Sequence, residues 1–465
     1  MAVRSLPGAH PGASGTLVEK ALSAPRGLAV ALLLPPIFLH VDHQPGFTVH
    51  LGSVGVHVAL SDICVLILAG IALAVGLRQG FGRLRDGTLV WIAAGLLLAM
   101  IAAATLYGRA VHSDYRLGTH AVTAAKFAEY GLLAVALPLL LRTLADLGVF
   151  LAGLTAWSSA ATVTALIQFF GGDVAGAWPA GRRQPSFLGH HDFAALSGAS
   201  LALALAAIAL GRSWPFGRVL PIVAGIAGGI GLVLSGSSAG AIGVILAAVL
   251  AAVLVRVRTG ISLRQLAGLG AVVAVVSAGV VILRGHDVDQ FLRWLGVKPA
   301  EQTTSRDVQS YAQRTVLLYI GWRIFLDHPI GGVGWQASSQ HSSYAPYLAD
   351  AHRRFPGTAA KAFPGPGHEY GVQNAWVQAL ADLGVVGFAL LVTFFASGIL
   401  LAGRVVLRGP PDDAAGGLVA ALWLLVAAGV ASALGLVAGI PLDALVWLSA
   451  GLAVTAAAGI RRVEP

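Results

Sequence analysis

The sequence predicts an all-α, polytopic integral membrane protein with about twelve transmembrane helices and one large extracytoplasmic loop that carries an interfacial helix. Of its 465 residues, 57% are hydrophobic and 11% are charged, whereas a soluble domain usually has about 25% charged residues. Apolar runs near the ~20 residues needed to cross a bilayer recur along the whole chain. Lys and Arg cluster at the ends of these runs, as topology signals do.

Twelve apolar segments are predicted to span the membrane. They lie at about 25–41, 57–78, 88–106, 118–141, 145–169, 191–210, 217–234, 239–255, 264–283, 374–402, 415–436 and 438–460. Pro35 and Pro36 interrupt the first, and Gly439 and Pro441 mark a tight turn between the last two. The chain is thus one membrane domain.

The distribution of basic residues predicts the topology. With the N-terminus inside, one side carries thirteen arginines, namely Arg78, Arg83, Arg85, Arg142, Arg212, Arg218, Arg256, Arg258, Arg264, Arg404, Arg408, Arg461 and Arg462. The short loops of the other side carry only Arg109, Arg116, Arg182 and Arg183. The positive-inside rule therefore predicts both termini in the cytoplasm and a multi-pass protein of the inner (plasma) membrane.

Four regions follow from this topology. They are a cytoplasmic tail at 1–26, N-terminal transmembrane helices at 27–284, a large extracytoplasmic loop at 285–373 and C-terminal transmembrane helices at 374–465. The tail has no long apolar core ending in a cleavage site, so no cleaved signal is expected. The net charge of +9 is explained by topology signals, so membrane lipids and not nucleic acid are the expected partners. Cys64 is the only cysteine of the sequence, which excludes an internal disulfide and a cysteine-rich metal site.

The extracytoplasmic loop is too long to be a simple connection, because loops of this length are usually functional or disordered. Its stretch YAQRTVLLYIGWRIFLD places Val316, Ile320 and Ile324 at i+4 spacing, with Tyr319 and Trp322 nearby. This pattern is typical of a helix lying at the membrane interface.

The clearest motif begins at Arg314, continues through HPIGGVGWQ at 328–336 and resumes after the loop as QNAWVQALADLGVVG at 373–387. This arrangement resembles the O-antigen ligase and O-antigen polymerase family of membrane glycan transferases. RRQPSFLGHHDFAAL at 182–196 is similar to an earlier loop of the same family. The residues in register with the family motif are Arg314, Pro329, Gly332, Gly334, Asn374, Asp382, Leu383 and Gly384.

The resemblance implies an inverting, metal-independent enzyme that needs no cofactor. It would transfer a glycan from a polyprenyl diphosphate carrier to an acceptor hydroxyl at the outer face of the membrane, and the acceptor would be a glycan, a glycolipid or a protein. A repeat-unit polymerase of the same family is an alternative. A non-catalytic binder or a flippase of lipid-linked glycans also remains open.

Arginine suits such chemistry because its fixed fork binds phosphate oxygens and stays protonated while charge develops on the departing phosphate. Arg314 is the first catalytic candidate, against the alternative that it snorkels to lipid headgroups. Substrate binding is assigned to Arg182 and Arg183, to the pair His190 and His191, and to Asn374.

Two positions depart from the family pattern. The family's Ser-Arg-Gly is SGSSAG at 235–240 here, and its His-Asn pair reads Gln373-Asn374, so Gln373 stands at the position of the catalytic histidine. A carboxamide cannot take a proton near pH 7. His368 and Glu369, in FPGPGHEYG, are therefore the candidate substitute bases. A metal at His190, His191 and Asp192 is not expected, because no acidic pair accompanies them.

Lys126 and Glu129 are charged residues inside a predicted span. Their spacing of three permits a pair on one helix face. Charges within the membrane are functional candidates by default, although both residues could instead lie near the outer interface and snorkel.

The topology is testable by cysteine labelling. A cysteine introduced at Ser338 or Ser342 is expected to react with an impermeant reagent from the extracytoplasmic side, because only that placement puts the arginine-rich ends in the cytoplasm. Reaction only after the membrane is breached from the other side would overturn the topology.

Overall fold

The structure is a computed structural model. It describes residues 26–40, 43–52, 54–176, 178–211, 214–258, 262–285, 306–365, 369–408 and 444–460, together with the single residues 289, 292 and 297. Within these ranges the chain folds into thirteen α-helices, one two-stranded sheet and short 3-10 turns.

The elements follow one another in the following order. They are α1 (Gly27–Ile37), β1 (Gly46–Leu51), β2 (Val54–Ala59), α2 (Leu60–Gln79), α3 (Thr88–Val111), α4 (Leu117–Leu140), α5 (Leu144–Phe169), α6 (His190–Leu210), α7 (Val219–Ser235), α8 (Ser238–Arg258), α9 (Leu263–Leu283), α10 (Arg306–Asp327), α11 (His341–Arg354), α12 (Ala375–Arg408) and α13 (Ala444–Ala457).

The predominance of long apolar helices confirms a polytopic, mainly helical membrane protein. In the described ranges, α2 to α6, α8, α9 and α12 are long and apolar enough to cross a membrane, and α1, α7 and α13 are shorter apolar helices. Each coincides with one of the predicted spans to within a few residues, except that α13 covers only part of the last. The predicted span at 415–436 lies outside the described residues.

A β-hairpin, β1 and β2, stands between the first two apolar helices and was not predicted. Its strands are antiparallel, with Gly46 opposite Ala59 and Leu51 opposite Val54. Alternating residues in FTVHL and VGVHVA are the strand signal. The hairpin escapes prediction because β2 runs directly into the apolar residues of α2, so the predicted span begins too early, at residue 57.

Helix α6 lies at the centre of the described bundle, because 83% of its most apolar stretch is buried. In α9 only 17% of the corresponding stretch is buried, so this helix lies at the periphery of the described bundle. Helix α7 approaches α6 closely because glycines face it. A Cβ at Gly228 would lie 2.6 Å from the carbonyl oxygen of Ser197, and one at Gly231 would lie 2.4 Å from the Ser197 hydroxyl. Small residues allow this backbone approach in membranes, where close packing drives helix association.

Arginines predicted to be cytoplasmic gather at one end of the bundle. The Arg83 guanidinium donates to the carbonyl oxygens of Pro138 and Leu141, where α4 ends, and of Ala458 and Gly459, after α13. Arg142 donates to the Gln79 side chain at 2.6 Å. A cation at helix C-termini satisfies carbonyls left without intrahelical donors and complements the helix dipoles.

The predicted helix in the long loop is present as α10. Val316, Ile320 and Ile324 are all buried, so these apolar positions form one inward face of the helix. On another face, Leu318, Trp322 and Leu326 are 38%, 44% and 52% exposed at the same i+4 spacing. An exposed apolar stripe of this kind supports the prediction of an interfacial helix.

The loop is fastened to the ends of α3 and α4 by polar contacts. The Ser342 hydroxyl donates to Asp114 at 2.6 Å, and the Tyr115 hydroxyl donates to the carbonyl oxygen of Trp335 at 2.8 Å. Ser342 is exposed whereas Ser338 is only 3% exposed, so Ser342 is the better position for the labelling experiment.

Helix α12 breaks at Gly384, whose φ of 65° and ψ of −170° are not helical. The turn that follows α10 satisfies the freed backbone. Val333 and Gly334 donate to the carbonyl oxygens of Ala381 and Asp382, and Val385 and Val386 donate to those of Pro329 and Ile330. The Pro-x-x-Gly-x-Gly motif and the Asp-Leu-Gly motif therefore meet in one structural joint.

Gly384→Ala should destabilise the protein severely. The alanine would have to adopt a positive φ, and its Cβ would lie 2.2 Å from the carbonyl oxygen of Ile330. We expect a loss of more than about 3 kcal/mol of stability, measured by thermal unfolding in detergent. Gly95→Ala is the matched control, because a Cβ there meets nothing within 4 Å. Equal stability of the two variants would contradict this account of the joint.

Candidate functional site

A cavity of about 580 Å³ brings together four of the residues predicted to form the site, Arg183, His190, His191 and Arg314. It lies at the end of the bundle where α6 begins and where the long loop packs. Its lining also includes His40, His43, Ala175, Gly176, Trp178, Pro185, Ser186, Gly189 and Asp192.

Arg183 reaches the cavity because the loop before α6 is folded around the buried side chain of Gln184. The Gln184 amide donates to the carbonyl oxygen of Pro179 at 3.0 Å and accepts from the backbone N–H of Trp178 at 3.0 Å. This fold places the Arg183 guanidinium 4.7 Å from the centre of the Trp178 ring, within the range of a cation–π interaction. Arg182 is exposed and is not among the lining residues.

The segment after Arg183 is fixed to α5. Ser186 has a φ of 57°, and its N–H donates to the Gln168 side chain at 2.9 Å while its hydroxyl donates to the carbonyl oxygen of Ala161 at 2.8 Å. A non-glycine residue with positive φ persists only where its surroundings hold it. The start of α6 is therefore held rigidly at the edge of the cavity.

The two histidines at the start of α6 have different environments. The His190 ring lies edge-on to Trp178 at 4.6 Å, and both its nitrogens are buried without a hydrogen-bond partner of good geometry among the described residues. His191 is exposed in the cavity. Arg314 and Arg183 are the residues whose charges act on His191. Of the pair, His191 is the one that a ligand can reach.

Arg314 is positioned by the residue that precedes the N-cap of α12. Its Nε donates to the Gln373 side-chain oxygen at 3.3 Å. Asn374, predicted to bind substrate, caps α12, since its side-chain oxygen accepts from the N–H groups of Trp376 at 3.1 Å and Val377 at 3.0 Å. Such a cap satisfies donors left open at a helix start. Gln373 is therefore presented from a fixed helix end.

Part of the chain is similar to a known protein family. Residues 223–392 match the family model described as O-antigen ligase. This segment is similar to the O-antigen ligase family. The resemblance predicted from the motifs is confirmed, and it implies a membrane protein that handles glycans, with a lipid-linked glycan and an acceptor as partners. A search of curated protein sequences finds no match to the chain.

The segment that matches the O-antigen ligase family contributes only part of the cavity. Arg314 and Gln373 belong to the matched segment, whereas Arg183, His190 and His191 precede it in the sequence. The site is thus assembled from three distant parts of the chain, the segment after α1, the loop before α6 and the loop between α9 and α12.

Only one of the two predicted bases lies among the described residues. His368 lies outside the described residues. Glu369 is exposed and interacts electrostatically with Tyr344, since burial and then the charges of Glu369 and Asp114 raise the pKa of that phenol. Glu369 is not among the residues that line the cavity.

The ion pair within the predicted spans is not the pair of Lys126 and Glu129 that the sequence spacing permits. The Lys126 ammonium donates to Asp62 of α2 at 2.7 Å, and Glu129 lies within electrostatic range of both. Asp62 also accepts from the N–H of Ala59 at the start of α2. The pair therefore joins α4 to α2 next to the hairpin.

Sequence reasoning missed four residues that shape the cavity, namely His40, His43, Trp178 and Gln184. Trp178 and Gln184 flank the predicted Arg182 and Arg183 in AWPAGRRQP, so an aromatic residue near paired arginines was an available signal. His40 and His43 follow α1 and carried no local signal. Among the described residues, no three His, Cys, Asp or Glu side chains are arranged to hold a metal ion.

Proposed function

We propose that the protein transfers a glycan from a polyprenyl diphosphate carrier to an acceptor hydroxyl at the outer face of the plasma membrane, with both of its termini in the cytoplasm. The observation that carries this proposal is the convergence of Arg183 and Arg314 on one cavity, where Arg314 comes from the segment that matches the O-antigen ligase family. A volume of about 580 Å³ lies within the usual range of small-ligand sites.

Arg183 and Arg314 are suited to stabilise the diphosphate that leaves when the glycan is transferred. When the glycosidic bond breaks, the electron pair remains on the phosphate oxygen, and the diphosphate gains negative charge. Guanidinium groups bind phosphate oxygens in a forked geometry and remain protonated. Donors that are already in position when the charge develops stabilise the transition state, and removal of one such donor typically costs about 3 to 4 kcal/mol.

Gln373 acts here as a positioning residue. Its side-chain oxygen accepts from Arg314, and the capped end of α12 holds it in place. Its chemistry excludes a role as the base but suits the orientation of a guanidinium. The proton of the acceptor hydroxyl must therefore go elsewhere.

His191 is the described residue best placed to accept that proton. It is exposed in the same cavity as both arginines, and imidazole is the side chain that most often accepts a proton in general base catalysis. The carboxylate of Asp192 is intrinsically a much weaker base. In the step, the acceptor oxygen bonds to the anomeric carbon, the bond to the phosphate oxygen breaks, and the hydroxyl proton passes to His191 and then to water.

The acceptor determines whether the reaction is ligation or polymerisation. Attack by a hydroxyl of a glycolipid, of a protein or of another repeat unit makes the same demand on the arginines and on the base. The groups of the cavity act on the reacting bond, whereas the choice of acceptor depends on contacts further from it. Ligation and polymerisation are thus both compatible with this site.

Arg314→Ala should abolish transfer or reduce it on the order of a hundred- to thousandfold, with membrane insertion unchanged. Arg314→Lys should restore only part of the rate, because a point charge cannot reproduce the guanidinium fork. The measurement is release of polyprenyl diphosphate from a defined lipid-linked glycan by the purified protein.

Arg353→Ala is the matched control, since Arg353 is an exposed arginine of α11 that pairs with Asp350. It should keep full activity. If Lys at 314 restores full turnover, Arg314 contacts lipid headgroups and the phosphate role passes to Arg183 or Arg182.

His191→Gln should lower the rate by roughly 10²- to 10⁴-fold, the usual contribution of general acid–base catalysis. In the unaltered protein the rate should fall as the pH drops through the imidazole titration, since a protonated ring cannot accept a proton, and the variant should lose this dependence. The groups that surround His191 are the charged Arg183, Arg314 and Asp192 and the titratable His40, His43 and His190.

His50→Gln, on the exposed hairpin, is the control for a histidine substitution and should leave the pH profile unchanged. Glu369→Gln and His368→Gln test the bases predicted from the sequence. Loss of activity in either, with His191→Gln harmless, would reassign the base to that residue and leave the arginine proposal intact.

A further inference from the structure

A groove of about 1040 Å³ opens between α6, α7 and α9. It follows the second half of α6, from Leu201 to Gly211, and the first half of α7. The arginine cavity lies at the other end of α6, at His190 and His191. Since α6 has 21 residues, about 30 Å of helix separates the two ends, and the groove is a separate site.

Small residues make the groove deep. Ala204, Gly225, Gly229 and Ala271 are among its lining residues, and a Cβ at Gly229 would meet nothing within 4 Å. Exposed apolar side chains also line it: Ile222, Ile226 and Val275 are 57%, 60% and 70% exposed. A long apolar channel that is open along its side fits a flexible hydrocarbon chain.

One end of the groove carries a positive charge. Arg218 is exposed, stands at the N-cap of α7, and has no acidic residue in the first turn of that helix beside it. A cation at a helix N-terminus opposes the helix dipole, so helix stability does not explain this residue. Trp214 lines the same end, and tryptophan favours the headgroup level of a bilayer. The groove is thus apolar along its length and cationic at a single end.

We propose that this groove binds one anionic phospholipid, with an acyl chain between α6, α7 and α9 and its phosphate at Arg218. Basic pockets between transmembrane helices bind anionic headgroups in this manner, and a guanidinium prefers phosphate among lipid groups. The lipid comes from the leaflet opposite the arginine cavity, so it is not the glycan donor. The proposal does not depend on the proposed transfer reaction.

The test measures lipid retained by the purified full-length protein, by native mass spectrometry after titration with phosphatidylglycerol, phosphatidylcholine or a polyprenyl phosphate. We expect saturable binding of one phosphatidylglycerol, and weaker binding of the other two. Gly229→Leu should remove this binding by filling the groove. Gly95→Leu is the matched control, since Gly95 is an exposed helical glycine of α3 with nothing within 4 Å of its Cβ, and it should bind as the unaltered protein does.

Arg218→Gln is the second variant, and as an exposed substitution it should leave the fold unchanged. It should lower the preference for phosphatidylglycerol over phosphatidylcholine about fivefold, as expected for one basic residue at an anionic surface. Equal binding by Gly229→Leu and Gly95→Leu would show that the lipid is only annular and would overturn the proposal. Preferential binding of polyprenyl phosphate would also overturn it, because the occupant would then be a carrier lipid.

Discussion

The break of α12 at Gly384 is the constraint on which the half of the structure that contains the long loop depends. A backbone N–H or C=O left open inside a membrane costs several kcal/mol, so an interrupted helix needs partners from elsewhere in the protein. The turn at 329–334 supplies them through four backbone hydrogen bonds. Gly332 allows the contact, because a Cβ there would lie 2.4 Å from the carbonyl oxygen of Asp382. The long loop is thereby joined to a membrane helix at a single defined register.

This joint determines where Arg314 lies. Helix α10 ends at Asp327, directly before the turn, and its buried face of Val316, Ile320 and Ile324 fixes its rotation. Arg314 lies half a turn before Val316 and is thus directed by the same packing. From the other side, the N-terminus of α12 presents Gln373 to it. The residues in register with the family motif therefore divide into a structural joint, formed by the turn at 329–334 and the break at Gly384, and the arginine whose position that joint controls.

Much of the helical architecture could be predicted from the sequence, because hydropathy depends on single residues and a membrane requires long apolar runs. The apolar face of α10 was also predictable from its period. The hairpin was not, since its strand signal merges with α2. The cavity itself could be predicted only in part: Arg183 and Arg314 stood out by type, but their meeting depends on Gln184 folding one loop and Gln373 fixing the other. Gln184 carries no charge or motif that marks it, and the contact of Gln373 with Arg314 leaves no local trace in the sequence.

The two ends of the bundle show why the presence of an arginine does not by itself identify a ligand-binding site. At one end the Arg83 guanidinium donates to four carbonyl oxygens at the ends of α4 and α13, so its charge is matched by helix C-termini and its role is to hold helices together. At the other end, Arg183 stacks on Trp178 and Arg314 is oriented through its Nε, and both line a cavity wide enough for a ligand. Contact with a ring face and with an amide oxygen helps to fix the direction of each guanidinium. Two guanidinium groups that line one cavity suit the binding of an anion such as the proposed diphosphate.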